Sequence, residues 1–117
     1  MFLGSSLTSE NKCFRLNFTF DGNLVLYHVD SGHILWATEI VDPRLNRGYM
    51  NFYGNFVLCD KNKVIPFWQT DISGNEGNFL LLQDDGNLVV ENPYGDILWT
   101  SNTESICSGE LNLQFAI

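Results

Sequence analysis

The chain is poor in basic residues, with 6 Lys and Arg against 14 Asp and Glu and a formal charge of −8. Proteins that bind nucleic acid through its phosphates need a basic surface, and so do proteins that bind anionic membranes. The sequence also lacks an apolar run near the roughly 20 residues of a membrane-spanning helix. We therefore expect no nucleic-acid partner and no membrane insertion, whereas neutral ligands such as sugars remain open.

Several chemical signals are also missing. We find no pairing of a nucleophile with a base, no phosphate-binding loop and no Cys/His spacing suited to zinc. The sequence therefore predicts a non-catalytic protein with no metal site and no cofactor. The cysteines are three in number, Cys13, Cys59 and Cys107. One disulfide with a free thiol and three free thiols are both compatible with this count.

Helical periodicity of apolar residues is absent, and short apolar runs take its place. The stretch "CFRLNFTFDGNLVLYHV" is rich in Phe, Leu and Val and is interrupted at Asp21-Gly22. Such runs are typical of β-strands, and Asp-Gly between them is a strong hairpin signal. With 117 residues, the sequence predicts one all-β domain over residues 1–117.

An internal repeat organises the whole chain. Each copy has an Asn that follows a glycine and precedes an apolar residue and a valine, at Asn23, Asn55 and Asn87. Each copy also has one Trp, in "LWAT", "FWQT" and "LWTS". This spacing predicts three units near residues 13–44, 45–76 and 77–107, with flanking terminal strands. We expect three four-stranded antiparallel sheets around a pseudo-threefold axis, with the three Trp side chains meeting near it.

Strand alternation divides each unit into a core face and an outer face. Leu82, Leu88 and Val90, with Phe18, Leu24 and Leu26, are predicted to face the core. The outer faces carry polar stripes: Gln83, Asp85, Asn87, Val89 and Glu91 in the third unit; Thr19, Asp21, Asn23, Val25 and Tyr27 in the first; Asn51, Tyr53, Asn55, Val57 and Cys59 in the second. Amides donate and accept while carboxylates only accept, which suits sugar hydroxyls. The alternative is that Asp-Gly-Asn is turn chemistry alone.

The pattern Q-x-D-x-N-x-V-x-Y, repeated three times with a Trp after each copy, resembles that of the monocot, bulb-type mannose-binding lectins. This snowdrop-lectin-like family has the β-prism II fold. The resemblance implies up to three shallow mannose sites, one per sheet, in which Gln, Asp, Asn and Tyr hydrogen-bond the sugar and Val packs on its ring. It implies mannose-containing glycans or glycoproteins as partners, with no metal or catalysis. The family often has a disulfide, and Cys13 lies near one of its expected positions, so a Cys13–Cys59 bridge is conceivable. A secreted or vacuolar location would follow, although residues 1–10 show no signal peptide and a cytosolic location stays open.

No repeat matches the family motif completely. The third has Glu91 in place of Tyr, and the first has Thr19 in place of Gln. The second keeps only Asn55 and Val57, and we expect it to be inactive. We therefore expect weak mannose binding at the third repeat and, as second choice, at the first. The alternative is a lectin-fold module that has lost sugar binding and acts through protein–protein interaction.

The last segment, "SGELNLQFAI", alternates apolar and polar residues and predicts a half-buried strand over residues 110–117. Members of this family often exchange C-terminal strands between subunits. The resemblance therefore implies a homodimer through this strand, while a strand that closes its own prism is the open alternative.

Overall fold

The computed structural model describes residues 1–72 and 77–107, and all regular elements in this part of the chain are β-strands. The first sheet contains β1 (Ser6–Thr8), β2 (Phe14–Phe18), β3 (Leu24–His28) and β4 (Ile34–Ala37). The second contains β5 (Leu45–Met50), β6 (Phe56–Asp60) and β7 (Pro66–Gln69). The third contains β8 (Phe79–Leu82), β9 (Leu88–Glu91) and β10 (Ile97–Thr100). All neighbouring strands are antiparallel.

The expected all-β fold with three sheets is confirmed, but the expected four strands in every sheet are not. Within the described ranges the sheets have four, three and three strands. The outer edge of β5 gains only an isolated bridge between Phe2 and Arg47. The boundary predicted at residue 76 and the strand predicted over residues 110–117 lie outside the described residues. None of the described segments forms a helix that is long and apolar enough to cross a membrane.

Glycines shape the turn that precedes each motif Asn. Gly22, Gly54 and Gly86 have φ of 92°, 86° and 84°, which glycine adopts cheaply in a tight hairpin. A Cβ on Gly86 would lie 2.9 Å from the Phe14 ring, and one on Gly22 would lie 3.1 Å from Cβ of Leu45. These two turns therefore pack closely on a neighbouring sheet, which also excludes a side chain.

The core is built from the inward faces of all three sheets. Its buried residues are Phe14, Leu16, Phe18, Leu24, Leu26, Leu45, Phe56, Leu58, Leu82, Leu88 and Val90. The six residues predicted from alternation to face the core are all among them. Full burial of such a side chain contributes about 1.5–3 kcal/mol, so a core shared by three sheets stabilises each of them.

The three Trp side chains meet at the axis, as predicted. The ring centroids of Trp36, Trp68 and Trp99 lie 5.6, 5.7 and 5.8 Å apart. The interplanar angles of 67°, 69° and 82° are edge-to-face, the arrangement that aromatic quadrupoles favour. The Trp of each repeat therefore packs against the Trp residues of the other two repeats at the axis of the prism.

A disulfide joins Cys13 to Cys107, with a Cα–Cα distance of 5.6 Å. The conceivable bridge between Cys13 and Cys59 is therefore wrong. Cys59 lies on β6 opposite Arg47 and is a buried free thiol. Its burial raises the pKa of the Cys59 thiol, which keeps it protonated and unreactive at neutral pH. The disulfide instead ties the start of the first repeat to the segment that follows the third sheet.

Candidate functional site

The motif asparagine of the first repeat caps a turn. Asn23 Oδ1 accepts hydrogen bonds from the backbone N–H of Ile40 at 2.6 Å and from the Thr38 hydroxyl at 3.3 Å. Between these donors, Glu39 has a left-handed backbone with φ 54°. The side-chain oxygen of Asn23 therefore stabilises the bend that follows β4.

The other two repeats contain the same device. Asn55 Oδ1 accepts from Ile72 N at 2.6 Å and Thr70 Oγ1 at 3.2 Å. Asn87 Oδ1 accepts from Thr100 Oγ1 at 2.7 Å, Ser101 Oγ at 3.2 Å and Thr103 N at 3.3 Å. Left-handed residues, Asp71 and Asn102, again occupy the bend. The repeated Asn is thus a structural residue in every repeat, whatever it does for a ligand.

The turn of the first repeat presents a carboxylate to solvent. Asp21 is exposed, and the Thr19 hydroxyl donates a hydrogen bond to its Oδ1. This hydrogen bond holds the pKa of Asp21 below its usual value. Thr19 Oγ1 also accepts from the backbone N–H of Asn23 at 3.1 Å. The residue that replaces the family Gln therefore anchors both Asp21 and the start of β3.

The rest of the first-repeat face is half-buried and reachable. Val25 lies opposite Asn17 on β2 and Ala37 on β4, both of which leave part of its surface open. The Tyr27 hydroxyl accepts long hydrogen bonds from Asn17 Nδ2 at 3.4 Å and Arg15 Nη1 at 3.5 Å. The structure therefore brings Asp21, Asn23, Val25 and Tyr27 onto one accessible face, as the alternation predicts.

The third-repeat face is less open than its sequence suggests. Val89 has 0% exposure, between Leu81 on β8 and Thr100 on β10. None of the Val89 surface is accessible in this arrangement, and its contact with a sugar ring stays a prediction. Asn87 is also buried, at 7% exposure. Gln83 and Glu91 are half-buried and Asp85 is exposed, so the polar end of this stripe remains accessible.

The turn of the third repeat is held by segments on both sides. Asn11 donates from its backbone N–H to Asp84 Oδ1 at 2.8 Å and from Nδ2 to the Asp84 carbonyl at 2.9 Å. Ser105 N–H donates to the Asp85 carbonyl at 2.6 Å. The Thr103 hydroxyl donates to the Gly86 carbonyl at 2.7 Å. Because Cys13 and Cys107 are joined just beyond these contacts, the disulfide helps to hold both segments against this turn.

The second-repeat face is closed. Val57 and Cys59 are buried, and Tyr53 occupies the position of the motif Asp. Opposite Cys59, the Arg47 guanidinium lies 5.2 Å from the centroid of the Phe2 ring. The outer face of this sheet therefore offers neither the acceptor nor the apolar patch of a sugar site.

Sequence reasoning missed the contribution of β2 to the first site. Arg15 and Asn17 alternate outward on β2 and contact Tyr27, a placement that register with β3 could have revealed. It also missed Phe20, an exposed ring beside Asp21. Over the described residues, no group of three or more His, Cys, Asp or Glu side chains could hold a metal ion.

Comparison with known proteins places this geometry in a family. No family model matches the chain. A lectin from Marasmius oreades is 31% identical with a TM-score of 0.76, covering 88% of this chain and 84% of that one. The Polygonatum cyrtonema lectin, solved with monomannoside, is 31% identical with a TM-score of 0.64, covering 90% and 91%.

A longer relative matches over a small part of its length. A G-type lectin S-receptor-like serine/threonine-protein kinase of Arabidopsis thaliana is 30% identical over 120 residues. The alignment covers 92% of this chain but only 14% of the kinase, so the chain spans about one-seventh of that relative. The TM-scores show that both solved lectins share the fold of this chain. The chain belongs to the bulb-type mannose-binding lectin family.

Proposed function

We propose that residues 1–117 form a single non-catalytic lectin domain that binds mannose-containing glycans or glycoproteins, mainly at the first repeat and more weakly at the third. The observation that carries this order is the accessibility of Val25, which is half-buried, against Val89, which is fully buried. The order is the reverse of the one expected from the motif alone. The Polygonatum cyrtonema lectin, solved with a monomannoside, supports the choice of sugar.

The first-repeat face offers the mixture of groups that a sugar needs. Asp21 accepts hydrogen bonds, and its second carboxylate oxygen is not used by Thr19. Asn23 supplies an Nδ2 donor because its Oδ1 is occupied by the turn. Tyr27 accepts from Arg15 and Asn17, so its own O–H can be donated outward. Val25 between them provides apolar contact for the C–H face of a ring.

The third repeat retains only part of this arrangement. Asp85 is exposed, and its Oδ1 accepts from the backbone N–H of Asn87 at 3.0 Å. Glu91 replaces Tyr and adds an acceptor where a donor is expected. Each missing neutral hydrogen bond costs about 0.5–1.5 kcal/mol, so the lost donor and the buried Val89 together predict a weak site.

The test is a titration of unglycosylated chain with methyl α-mannoside, followed by nuclear magnetic resonance shifts of backbone amides. Unglycosylated protein is needed because Asn17-Phe18-Thr19 is a glycosylation sequon on the proposed face. We expect shifts centred on β3 that disappear in Asp21→Ala and persist in the matched variant Asp85→Ala. Binding that survives Asp21→Ala unchanged would refute the first-repeat site. Methyl α-galactoside serves as the ligand control.

A second candidate function rests on the second repeat. Phe52 and Tyr53 are adjacent and exposed at the turn before β6, although the polar motif is lost. Adjacent exposed aromatic side chains favour a protein-binding surface. The alternative proposal is therefore a prism that has lost sugar binding and acts through protein–protein interaction. A folded chain that shows no shift with any mannoside would favour this alternative.

A homodimer through the C-terminal strand stays a proposal, since residues 108–117 lie outside the described residues. In the described part of the third sheet, β8 pairs only with β9, so its second edge is open to a further strand. Deletion of residues 108–117 should halve the molecular mass measured by light scattering if the strand is exchanged. An unchanged mass would favour a strand that closes its own prism.

A further inference from the structure

An exposed aromatic ring stands beside the proposed first site. Phe20 is 83% exposed at the turn between β2 and β3, directly before Asp21. Its ring rests on Gly4, where an added Cβ would lie 2.9 Å from Phe20 Cζ. Gly4 has φ 88°, so a larger residue is disfavoured by backbone conformation as well as by space. The N-terminal segment therefore packs against the Phe20 ring, most of which stays exposed to solvent.

The Phe20 ring borders two depressions. One, of about 240 Å³, includes Asn17 and Thr19 and so adjoins the outer face of the first sheet. The other, of about 390 Å³, lies between Phe20, Val41 and Pro43, with Asp21 on its rim. The larger volume is within the range of small-ligand clefts. Asp21 is thus shared between the proposed first site and a cleft that no mannose contact of that site uses.

The chemistry of the larger cleft matches a sugar ring better than an apolar partner. Phe20 and Val41, which is 94% exposed, provide flat and branched apolar surface. The rim provides the Asp21 and Asp42 carboxylates. An aromatic face bordered by carboxylate acceptors suits a ring with a C–H face and hydroxyl edges.

The other repeats do not combine these groups. Phe52 occupies the position of Phe20 in the second repeat, but Tyr53 follows it in place of Asp. Asp84 occupies the position in the third repeat and is engaged by Asn11 through two hydrogen bonds. An exposed aromatic ring followed by an exposed carboxylate is therefore specific to the first repeat.

Resting on the proposed function, we propose that the cleft beside Phe20 is a second sugar subsite, so that the first repeat takes α-linked mannose oligosaccharides of at least two residues. One residue lies on the face of Asp21, Asn23, Val25 and Tyr27, and its neighbour packs on Phe20. Asp21 contacts both. The ligand class is neutral, because the two carboxylates on the rim, Asp21 and Asp42, repel an anion and accept hydrogen bonds from hydroxyl groups.

The test compares methyl α-mannoside with α-linked mannobioses by calorimetry on unglycosylated full-length chain. We expect the better mannobiose to bind about tenfold more tightly than the monosaccharide, as stacking on one aromatic ring allows. Phe20→Ala should remove this gain and leave monosaccharide affinity unchanged, while Phe20→Tyr should keep it. Phe52→Ala is the matched control and should leave both affinities unchanged.

The contrary results are distinct. Equal affinities for mannobiose and monosaccharide in the unmodified chain would overturn the subsite and leave the proposed function intact. An absence of binding to every mannoside would overturn both. If Phe20→Ala alters only self-association in sedimentation velocity, Phe20 belongs to a contact between protein molecules and the subsite is wrong.

Discussion

The outer faces of the first and third sheets show how little a motif says about an open site. The third repeat matches four motif positions, including Gln83, yet Val89 at its centre is fully buried. The first repeat has Thr19 instead of Gln, yet Val25 is reachable. In each repeat the Val lies two residues after the motif Asn, whose side chain caps a bend, and it occupies the same position in the strand. The difference therefore arises outside the motif.

Neighbouring strands make that difference. Val25 is flanked by Asn17 and Ala37, whereas Val89 is flanked by Leu81 and Thr100. Cross-strand neighbours lie about 4.5–5.5 Å apart at Cβ, so they decide how much of a small side chain is left open. The accessibility of a shallow site on a sheet is set as much by adjoining strands as by the strand that carries its motif.

The largest expected effect is that of removing the disulfide, and it should differ between the third-repeat face and the first-repeat face. The Cys13–Cys107 disulfide joins residues that are 94 positions apart, and it lies beside the hydrogen bond from Asn11 to Asp84 in the third-repeat turn. Replacing both cysteines with Ser should lower the free energy of unfolding by roughly 2–4 kcal/mol, measured by urea denaturation. Hydrogen exchange should show Ser105 N–H losing protection while Ile40 N–H keeps it. Equal loss at both amides would mean that the disulfide stabilises the whole prism and not the third turn.

The motif Asn should matter for stability even where no sugar binds. Replacing Asn55 with Ala leaves the Ile72 N–H and the Thr70 hydroxyl without their acceptor, at a cost of about 1–3 kcal/mol in unfolding free energy. Asn87→Ala should cost more than Asn23→Ala, because Asn87 accepts three hydrogen bonds and Asn23 two. Thermal and urea unfolding measure this.

The corresponding Asn→Asp variants keep an oxygen acceptor and form the control, so they should recover part of the loss. A variant Asn55→Ala with unchanged stability would contradict the structural role, since the second repeat has no proposed site to explain the residue otherwise.

An exchange of neighbours tests the comparison directly. Asn17→Leu places the third-repeat neighbour beside Val25 and removes a donor from Tyr27, so mannoside affinity should fall about tenfold. The double variant Leu81→Asn with Thr100→Ala should expose Val89 and strengthen the weak third site. Amide shifts during a methyl α-mannoside titration report each face separately. If the exchange leaves both faces as they were, neighbouring strands do not set accessibility.

Sequence alternation predicts what depends on one strand, but not what depends on several. The core residues and the Trp trio follow from period-two patterning and the spacing of Trp36, Trp68 and Trp99. The burial of Val89 depends on its neighbours on adjacent strands, Leu81 on β8 and Thr100 on β10. The Cys13–Cys107 bridge depends on how distant segments meet around the axis. No pattern in one strand specifies either of these.

The smallest expected effect is a shift in the acidic pH at which mannoside affinity is lost. Because the Thr19 hydroxyl lowers the pKa of Asp21, the carboxylate stays charged above that lowered value and is neutralised as pH falls through it. Mannoside affinity at the first repeat should therefore be constant near neutral pH and be lost only in strong acid. Thr19→Val removes the donor, so the pKa rises toward its usual value and affinity is lost at a higher pH. Thr19→Ser retains the hydroxyl and should behave like the unmodified chain. Nuclear magnetic resonance titration of the Asp21 carboxyl carbon, with mannoside affinity measured at the same pH values, shows whether the two change together. If Thr19→Val does not move the pH at which affinity is lost, Asp21 is not part of the site.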